Sequence, residues 1–273
     1  MNKIARFNKI ARDIKLIKIQ GATNLAKAAV YAYSLIPAKE SKRRLLSLRP
    51  TEPMLVNILN NIDKLSKKEI LAHFSDAQQK INKNVIRLIK SHDVIFTHCH
   101  STNVVKALIY AHKKGKKFEV YNTETRPLYQ GRKTAKELKK EGIKVTTFID
   151  AAASVALIRA QGTKKADVVF LGSDAILKKG IINKIGSAMF AEIANLNNIP
   201  VYIIADSWKY SPKNIKLEQR DFHEVWKNVP NHIKIKNPAF ELIKKKYIKA
   251  IVSEYGILTY RQFLKKVKHR RFD

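Results

Sequence analysis

The chain has 273 residues and a single cysteine, and 45% of its residues are apolar. This length and apolar content suit one large α/β domain, or such a domain with a smaller helical partner. A single cysteine excludes an intramolecular disulfide and a cysteine-cluster metal site. No run approaches the roughly 18 apolar residues of a membrane span, and no signal segment opens the chain. We therefore expect a cytoplasmic protein without a membrane partner.

Positive charge is the unusual feature of the composition, with 54 lysines and arginines against 22 acidic residues and a formal net charge of +32. Such a charge could attract nucleic acid, ribosomes or phosphorylated ligands. It could equally reflect a compositional drift towards lysine, isoleucine and asparagine. The lysines are scattered and do not gather beside aromatic residues, as a base-stacking surface would require. We therefore do not expect direct nucleic-acid binding, and we interpret Trp208 and Trp226 as core or interface anchors.

Residues 1–91 are predicted to be helical. Apolar and small residues recur at three- and four-residue steps between Ile14 and Ala32, and again between Met54 and Ile62. A third, more polar helix is predicted over residues 67–91. Because no strand pattern occurs here, this part of the chain should form a helical cap or an oligomerisation arm.

From Asp93 onward, short apolar runs alternate with helical patterns. Strands are predicted at residues 94–97, 118–122, 145–149, 168–171 and 201–205, with a last strand at 250–253. Helices are predicted at residues 102–114, 133–141, 151–160 and 183–196, with a terminal helix at 260–268. Regular alternation of this kind indicates an α/β fold with a parallel sheet and right-handed crossovers.

Polar side chains follow each of the five predicted strands that alternate with helices. They include Cys99, Arg126, Asp150, Asp174 and Asp206. The carboxyl ends of parallel strands meet at one edge of a sheet, where ligands bind in open α/β folds. The sequence therefore predicts a ligand site at this edge.

Several of these residues suit a phosphorylated ligand. Arg126 can offer a bidentate fork to a phosphate, and Gly131 leaves backbone amides open to it. Asn183 and Lys184 are predicted to begin a helix, whose free amides would also attract an anion.

Cys99 and Asp174 are candidates for acid–base chemistry. Nearby amides and cations would lower the pKa of the Cys99 thiol, with Asp174 as its counterpart. Alternatively, Cys99 is a small buried apolar residue and Asp174 caps a turn. His98 and His100 flank Cys99, but no third ligand follows at a recognisable spacing, so no metal site is predicted.

These motifs resemble one family. They are residues 97–101 (Thr-His-Cys-His-Ser), 123–127 (Thr-Glu-Thr-Arg-Pro) with 130–131 (Gln-Gly), and 172–175 (Gly-Ser-Asp-Ala) with 182–186 (Ile-Asn-Lys-Ile-Gly). The family holds the α, β and δ subunits of translation initiation factor 2B, ribose-1,5-bisphosphate isomerase and methylthioribose-1-phosphate isomerase. Residues 49–51, 237–240 and 251–256 match further motifs, so the resemblance covers nearly the whole chain.

The resemblance implies a helical N-terminal domain, over residues 1–91, followed by a Rossmann-like α/β domain, over 92–273, with helices on both faces of a parallel sheet. It also implies a homo-oligomer, dimeric or larger, and no cofactor. In the isomerases a cysteine and an aspartate transfer protons, and these positions correspond to Cys99 and Asp174. The implied substrate- and phosphate-binding residues are Gln20, Gly21, Ala22, Ser101, Arg126, Gln130, Asn183 and Lys184.

Three departures separate this chain from the isomerases. They carry Arg-Gly-Ala where this chain has Gln20, Gly21 and Ala22, and replacing that arginine should weaken phosphate binding by on the order of a few kcal/mol. The chain is also shorter than the archaeal isomerases, and residues 241–245 lack the usual Asp-Val-Thr-Pro-Pro. In these respects, and in its lysine and isoleucine usage, the chain resembles archaeal factor 2B subunit-like proteins.

Two interpretations follow. The first, which the Gln20 position favours, is a regulatory protein that binds a sugar phosphate or a nucleotide such as AMP and contacts initiation factor 2. The second, which the retained pair favours, is a ribose-1,5-bisphosphate isomerase that acts through Cys99 and Asp174. The first is preferred on the sequence alone.

Overall fold

The structure, a computed structural model, describes residues 2–19, 21–49, 52–217 and 219–268. The helices are α1 Lys3–Lys15, α2 Ala22–Leu35, α3 Lys39–Leu48, α4 Pro53–Asn61, α5 Lys67–Val85, α6 Thr102–Lys113, α7 Gln130–Lys140, α8 Ala153–Leu157, α9 Ser187–Leu196 and α10 Tyr260–Lys268. The strands are β1 Asp93–Thr97, β2 Phe118–Thr123, β3 Lys144–Phe148, β4 Val168–Leu171, β5 Ala175–Ile176, β6 Gly180–Lys184, β7 Val201–Ile204, β8 Phe240–Lys244, β9 Ala250–Ser253 and β10 Gly256–Leu258.

The N-terminal part is helical, as predicted, and local sequence signals fix where its helices begin. Asn2 accepts a hydrogen bond from the Ala5 amide at the start of α1, and Pro53 occupies the first turn of α4. Ser66 and Glu69 form a reciprocal capping box at the start of α5. Helix α5 ends at Val85 and continues only as a short 3-10 turn, so it is shorter than the predicted helix over 67–91.

A seven-stranded sheet forms the centre of the fold, in the order β10-β9-β7-β4-β1-β2-β3. All neighbouring strands are parallel except β10, which runs antiparallel to β9. Successive residues of β1 face opposite sides: Phe96 packs in a cluster with α8, α9 and α10, whereas Ile95 packs in a cluster with α5, α6 and α7. The predicted α/β fold, with helices on both faces of a mostly parallel sheet, is confirmed.

A second sheet was not predicted. Strands β5, β6 and β8 form a small antiparallel sheet, in which Asn183 pairs with Glu241 and Lys184 with Phe240. The predicted helix start at Asn183 is therefore wrong, because residues 180–184 form strand β6. Helix α9 begins only at Ser187, after Gly186 turns the chain with a φ of 99°.

Helix α5 joins the helical part to the sheet. Its C-terminal residues Ile81 and Val85 are buried in the same cluster as Leu108 of α6. The predicted domain boundary between residues 91 and 92 therefore stays a prediction.

Trp208 is buried beside Phe74, as expected for a core anchor, whereas Trp226 is 47% exposed. Within the described ranges, no helix has both the length and the apolar character needed to cross a membrane.

Candidate functional site

One cavity lies at the carboxyl ends of the parallel strands, and the chain between α1 and α2 forms part of its wall. The predicted site residues that line it are Gly21, Ala22, Cys99, Ser101, Gln130, Asp174, Asn183 and Lys184. Gln20 lies outside the described residues, although Ile19 and Gly21 on either side of it line the cavity. Residues far apart in the sequence are thus brought together around Cys99 and Asp174, and their individual roles stay predictions.

Cys99 occupies a tight turn between β1 and α6. Its φ is 66°, its amide donates to Thr125 Oγ1 at 3.0 Å, and its carbonyl oxygen accepts from Thr134 Oγ1 at 2.8 Å. Ser101 caps α6, so the thiol precedes the helix and does not lie in its first turn. Burial raises the pKa of Cys99 to about 11, although Lys184 acts in the opposite direction. The predicted lowering of this pKa is wrong, because burial outweighs the neighbouring cation, and the thiol is neutral at pH 7.

Asp174 lies where the chain leaves β4 for β5, and its amide donates to the carbonyl oxygen of Ile182 at 2.9 Å. Burial raises the pKa of its carboxyl group. Four cations act against this effect: Lys209, Lys184, Arg49 and Arg220. The raised pKa makes the ionised carboxylate a stronger base than an exposed aspartate.

Lys209 is the buried cation with the largest electrostatic effect on Asp174. Its Nζ atom donates to the carbonyl oxygen of Ser173 at 2.5 Å, which places the ammonium group beside the backbone of Asp174. Burial lowers the pKa of Lys209, while Asp174, Asp206 and Glu52 raise it. The positive charge of Lys209 and the other cations in the cavity thus exceeds the negative charge of the Asp174 carboxylate. This excess suits an anionic ligand.

His98 connects the ends of β1, β2 and β6 at the cavity. Its Nε2 atom lies 2.8 Å from the carbonyl oxygen of Ile185, and its Nδ1 atom lies 2.5 Å from Thr123 Oγ1. Because a carbonyl oxygen only accepts, Nε2 carries the proton and Nδ1 accepts from the threonine hydroxyl. Burial lowers the pKa of His98 to about 4. The ring is therefore neutral at pH 7, and His100 has a different partner, Glu137, at 3.2 Å.

Arg126 does not line the cavity. Its Nη1 atom donates to the Tyr129 hydroxyl at 2.7 Å, and its backbone amide donates to Asp150 at 2.6 Å. The structure therefore does not bring Arg126 together with Cys99 and Asp174.

The sequence predicted that Gly131 would offer a free amide to a phosphate, and this prediction is wrong. Its amide donates to the carbonyl oxygen of Glu124 at 3.1 Å. A Cβ atom at this position would lie 1.7 Å from the carbonyl oxygen of Thr123. The glycine is needed for the close approach of α7 to the end of β2.

Two buried polar atoms that belong to lining residues are unpaired within the part of the chain that the structure describes. They are Gln130 Oε1 and Ser173 Oγ. Buried polar groups in proteins normally have a partner, and a bound ligand would supply one here.

Several lining residues were not among the predicted site residues. They are Arg49, Glu52, Ser173, Lys209 and Arg220. Lys209 had a usable signal, since it lies three residues beyond the strand-end Asp206, whereas Arg220 lies in an irregular stretch without a pattern.

The sequence of this chain is similar to known proteins of one family. Residues 66–260 match the model of the initiation factor 2 subunit family. The chain is 34% identical to a ribose 1,5-bisphosphate isomerase from Methanocaldococcus jannaschii, over 90% of this chain and 89% of the relative. It is 30% identical to a ribose 1,5-bisphosphate isomerase from Archaeoglobus fulgidus, over 91% of this chain and 88% of the relative.

A solved structure shares the fold. The translation initiation factor eIF-2B from Pyrococcus horikoshii OT3 superposes with a TM-score of 0.81 at 27% identity, and the match covers 93% of this chain and 97% of that one. The family model covers more than half of the chain, and the relatives align along almost its full length. The chain therefore belongs to the initiation factor 2 subunit family.

Proposed function

We propose that the protein is a phosphosugar isomerase of the ribose-1,5-bisphosphate type, in which Cys99 and Asp174 transfer protons. The observation that carries this proposal is that both side chains line one cavity together with Lys184, Lys209 and Arg220. Relatives at 30–34% identity carry the name of this enzyme. They favour the isomerase over the regulatory role that the sequence alone preferred.

Isomerisation of a sugar phosphate requires one general acid and one general base. Conversion of ribose 1,5-bisphosphate to its ketose isomer removes a proton from C2 and delivers one to C1. Because C1 carries a phosphate, the bond between C1 and the ring oxygen breaks and the ring oxygen takes up a proton, while the C2 hydroxyl group loses its proton as the carbonyl forms. The Asp174 carboxylate serves as base and the neutral Cys99 thiol as acid, and the two exchange roles between steps. The substrate and product are isomers, so both groups return to their starting states and no cofactor is required.

The cations of the cavity give the phosphate groups their binding energy in this proposal. Lys184 and Lys209 are buried, and a charge-assisted hydrogen bond to phosphate is stronger there than in water. Gln130 Oε1 accepts only, so it fits a sugar hydroxyl better than a phosphate oxygen.

A second candidate is a sensor that binds a sugar phosphate or AMP without turnover, assembles as a homo-oligomer and contacts initiation factor 2. The specific observation in its favour is Gln20, which replaces the arginine of the isomerase motif. On this candidate, Gln20→Arg should tighten sugar-phosphate binding, measured by calorimetry.

Turnover of ribose 1,5-bisphosphate by the purified protein, with and without AMP, separates the two candidates. For the isomerase we expect Cys99→Ser and Asp174→Asn each to lower kcat about a hundredfold or more. Arg43→Gln, which removes an exposed cation of α3, is the control and should keep full activity. Absence of turnover in a protein that still binds the sugar phosphate or AMP would support the sensor.

A further inference from the structure

Three side chains from distant parts of the sequence converge outside the Cys99–Asp174 pair. His73 lies on α5, Asp206 follows β7 and Glu254 follows β9. One potential ligand atom from each lies within 4.8 Å of the other two, and no second group of this kind occurs in the described ranges. His73 Nε2 is 3.0 and 3.1 Å from the two Asp206 carboxylate oxygens. Ligand atoms bonded to one metal ion at about 2.1 Å are roughly 3–4 Å apart, so only small shifts would be needed.

The three side chains are held in place by their neighbours. The His73 ring stacks on Trp208, with the centroids 3.7 Å apart and the planes at 3°. The Trp208 amide donates to Asp206 Oδ1 at 2.8 Å, and the Ser207 amide donates to Glu254 Oε2 at 3.1 Å. The segment 206–208 thus supplies one of the three side chains and orients the other two, as the surroundings of metal ligands do.

The charge of this group also suits a cation. The Asp206 side chain is 3% exposed and that of His73 is 14% exposed. The carboxylate groups of Asp206 and Glu254 share this site. Lys209 balances part of the charge of Asp206. A divalent ion would offset the remaining repulsion between the two carboxylates.

We propose that His73, Asp206 and Glu254 form a binding site for a first-row divalent transition-metal ion such as Zn²⁺. One imidazole nitrogen with two carboxylate oxygens suits Zn²⁺, Mn²⁺ or Co²⁺ better than Mg²⁺ or Ca²⁺, which prefer oxygen ligands alone. The ion would connect α5 to the carboxyl ends of β7 and β9. No sequence pattern indicates this site, because its ligands have no recognisable spacing.

Calorimetric titration of the chelator-treated full-length protein with Zn²⁺ tests the proposal, with Co²⁺ absorption as a second readout. We expect one ion per chain and a melting temperature that rises with Zn²⁺. His73→Ala and the nearly isosteric Glu254→Gln should each weaken binding more than tenfold. His223→Ala is the matched control, because it removes an exposed histidine–aspartate pair that belongs to no three-residue group of this kind among the described residues.

A Cys99→Ser variant completes the test, since a thiol can also bind Zn²⁺. Binding that persists in Cys99→Ser and is lost in Glu254→Gln supports the proposed site. Absence of Zn²⁺ binding to the wild-type protein would overturn it, as would binding that both His73→Ala and Glu254→Gln retain. The melting curve of each variant without metal shows whether it is folded. The outcome is independent of isomerase activity.

Discussion

His98 Nε2 donates a hydrogen bond to the carbonyl oxygen of Ile185, and the two atoms are 2.8 Å apart. This contact joins the residue before Cys99 to the residue after Lys184. Through its Nδ1 atom the same ring accepts a hydrogen bond from Thr123 at the end of β2. One neutral imidazole therefore holds three chain segments in register beneath the cavity.

We expect His98→Ala to destabilise the protein by about 2–4 kcal/mol, because it leaves a cavity and removes the partners of one buried and one partly buried polar group. Urea unfolding at pH 7 measures this loss. His223→Ala, at an exposed histidine, should change the free energy of unfolding by less than about 0.5 kcal/mol. Equal losses in the two variants would show that the buried contacts of His98 contribute nothing.

Stability should also depend on pH through His98. Burial lowers its pKa to about 4 from 6.5, so between these values the unfolded chain binds a proton that the folded chain does not. Stability therefore rises as the pH increases from about 4 to 6.5, by about 3 kcal/mol from this residue. Urea unfolding of wild type and His98→Gln across this range isolates the effect, because the buried carboxyl groups are common to both. Parallel curves for the two proteins would contradict it.

The Cys99 thiol should react slowly with alkylating reagents. Its pKa of about 11 lies two units above that of an ordinary thiol, so at pH 7–8 we expect alkylation at about one hundredth of the rate in the unfolded chain. Cys99 is the only cysteine, so mass spectrometry follows it without ambiguity. A rate that keeps rising to about pH 11 would agree with burial as the cause. Fast labelling at pH 7 would instead indicate a thiolate stabilised by Lys184.

The sequence predicted the central sheet well because its signals are local. Runs such as 94–97 and 168–171 are apolar throughout, as buried parallel strands require. It also predicted that Cys99 and Asp174 approach one another at the carboxyl edge of the sheet, and both line the cavity there. Strand β6 was missed because its pairing with β8 spans about sixty residues, and the pattern of 183–196 is helical from Ser187 onward.

Electrostatic properties were harder to predict, because they depend on burial and on distant residues. The pKa of Cys99 is raised where amides and cations were expected to lower it. Lys209 reaches the cavity from a short 3-10 turn after β7, and Arg220 reaches it from an irregular stretch. The sequence motif identified Arg126 as a phosphate ligand, but its hydrogen bonds to Tyr129 and Asp150 keep it elsewhere.

Gly131→Ala tests the packing that holds α7 against β2. A methyl group at this position would lie 1.7 Å from the Thr123 carbonyl oxygen, which is backbone and cannot rotate away. We expect a loss of more than about 4 kcal/mol in the free energy of unfolding, the range of severe core overpacking or strain. Gly115→Ala is the matched control, because its surroundings are open and only its φ of 85° is unfavourable, which costs about 1–2 kcal/mol. Urea unfolding of both variants gives the comparison. Similar losses in the two would mean that α7 does not pass this close to Thr123, and that Gly131 serves backbone conformation alone.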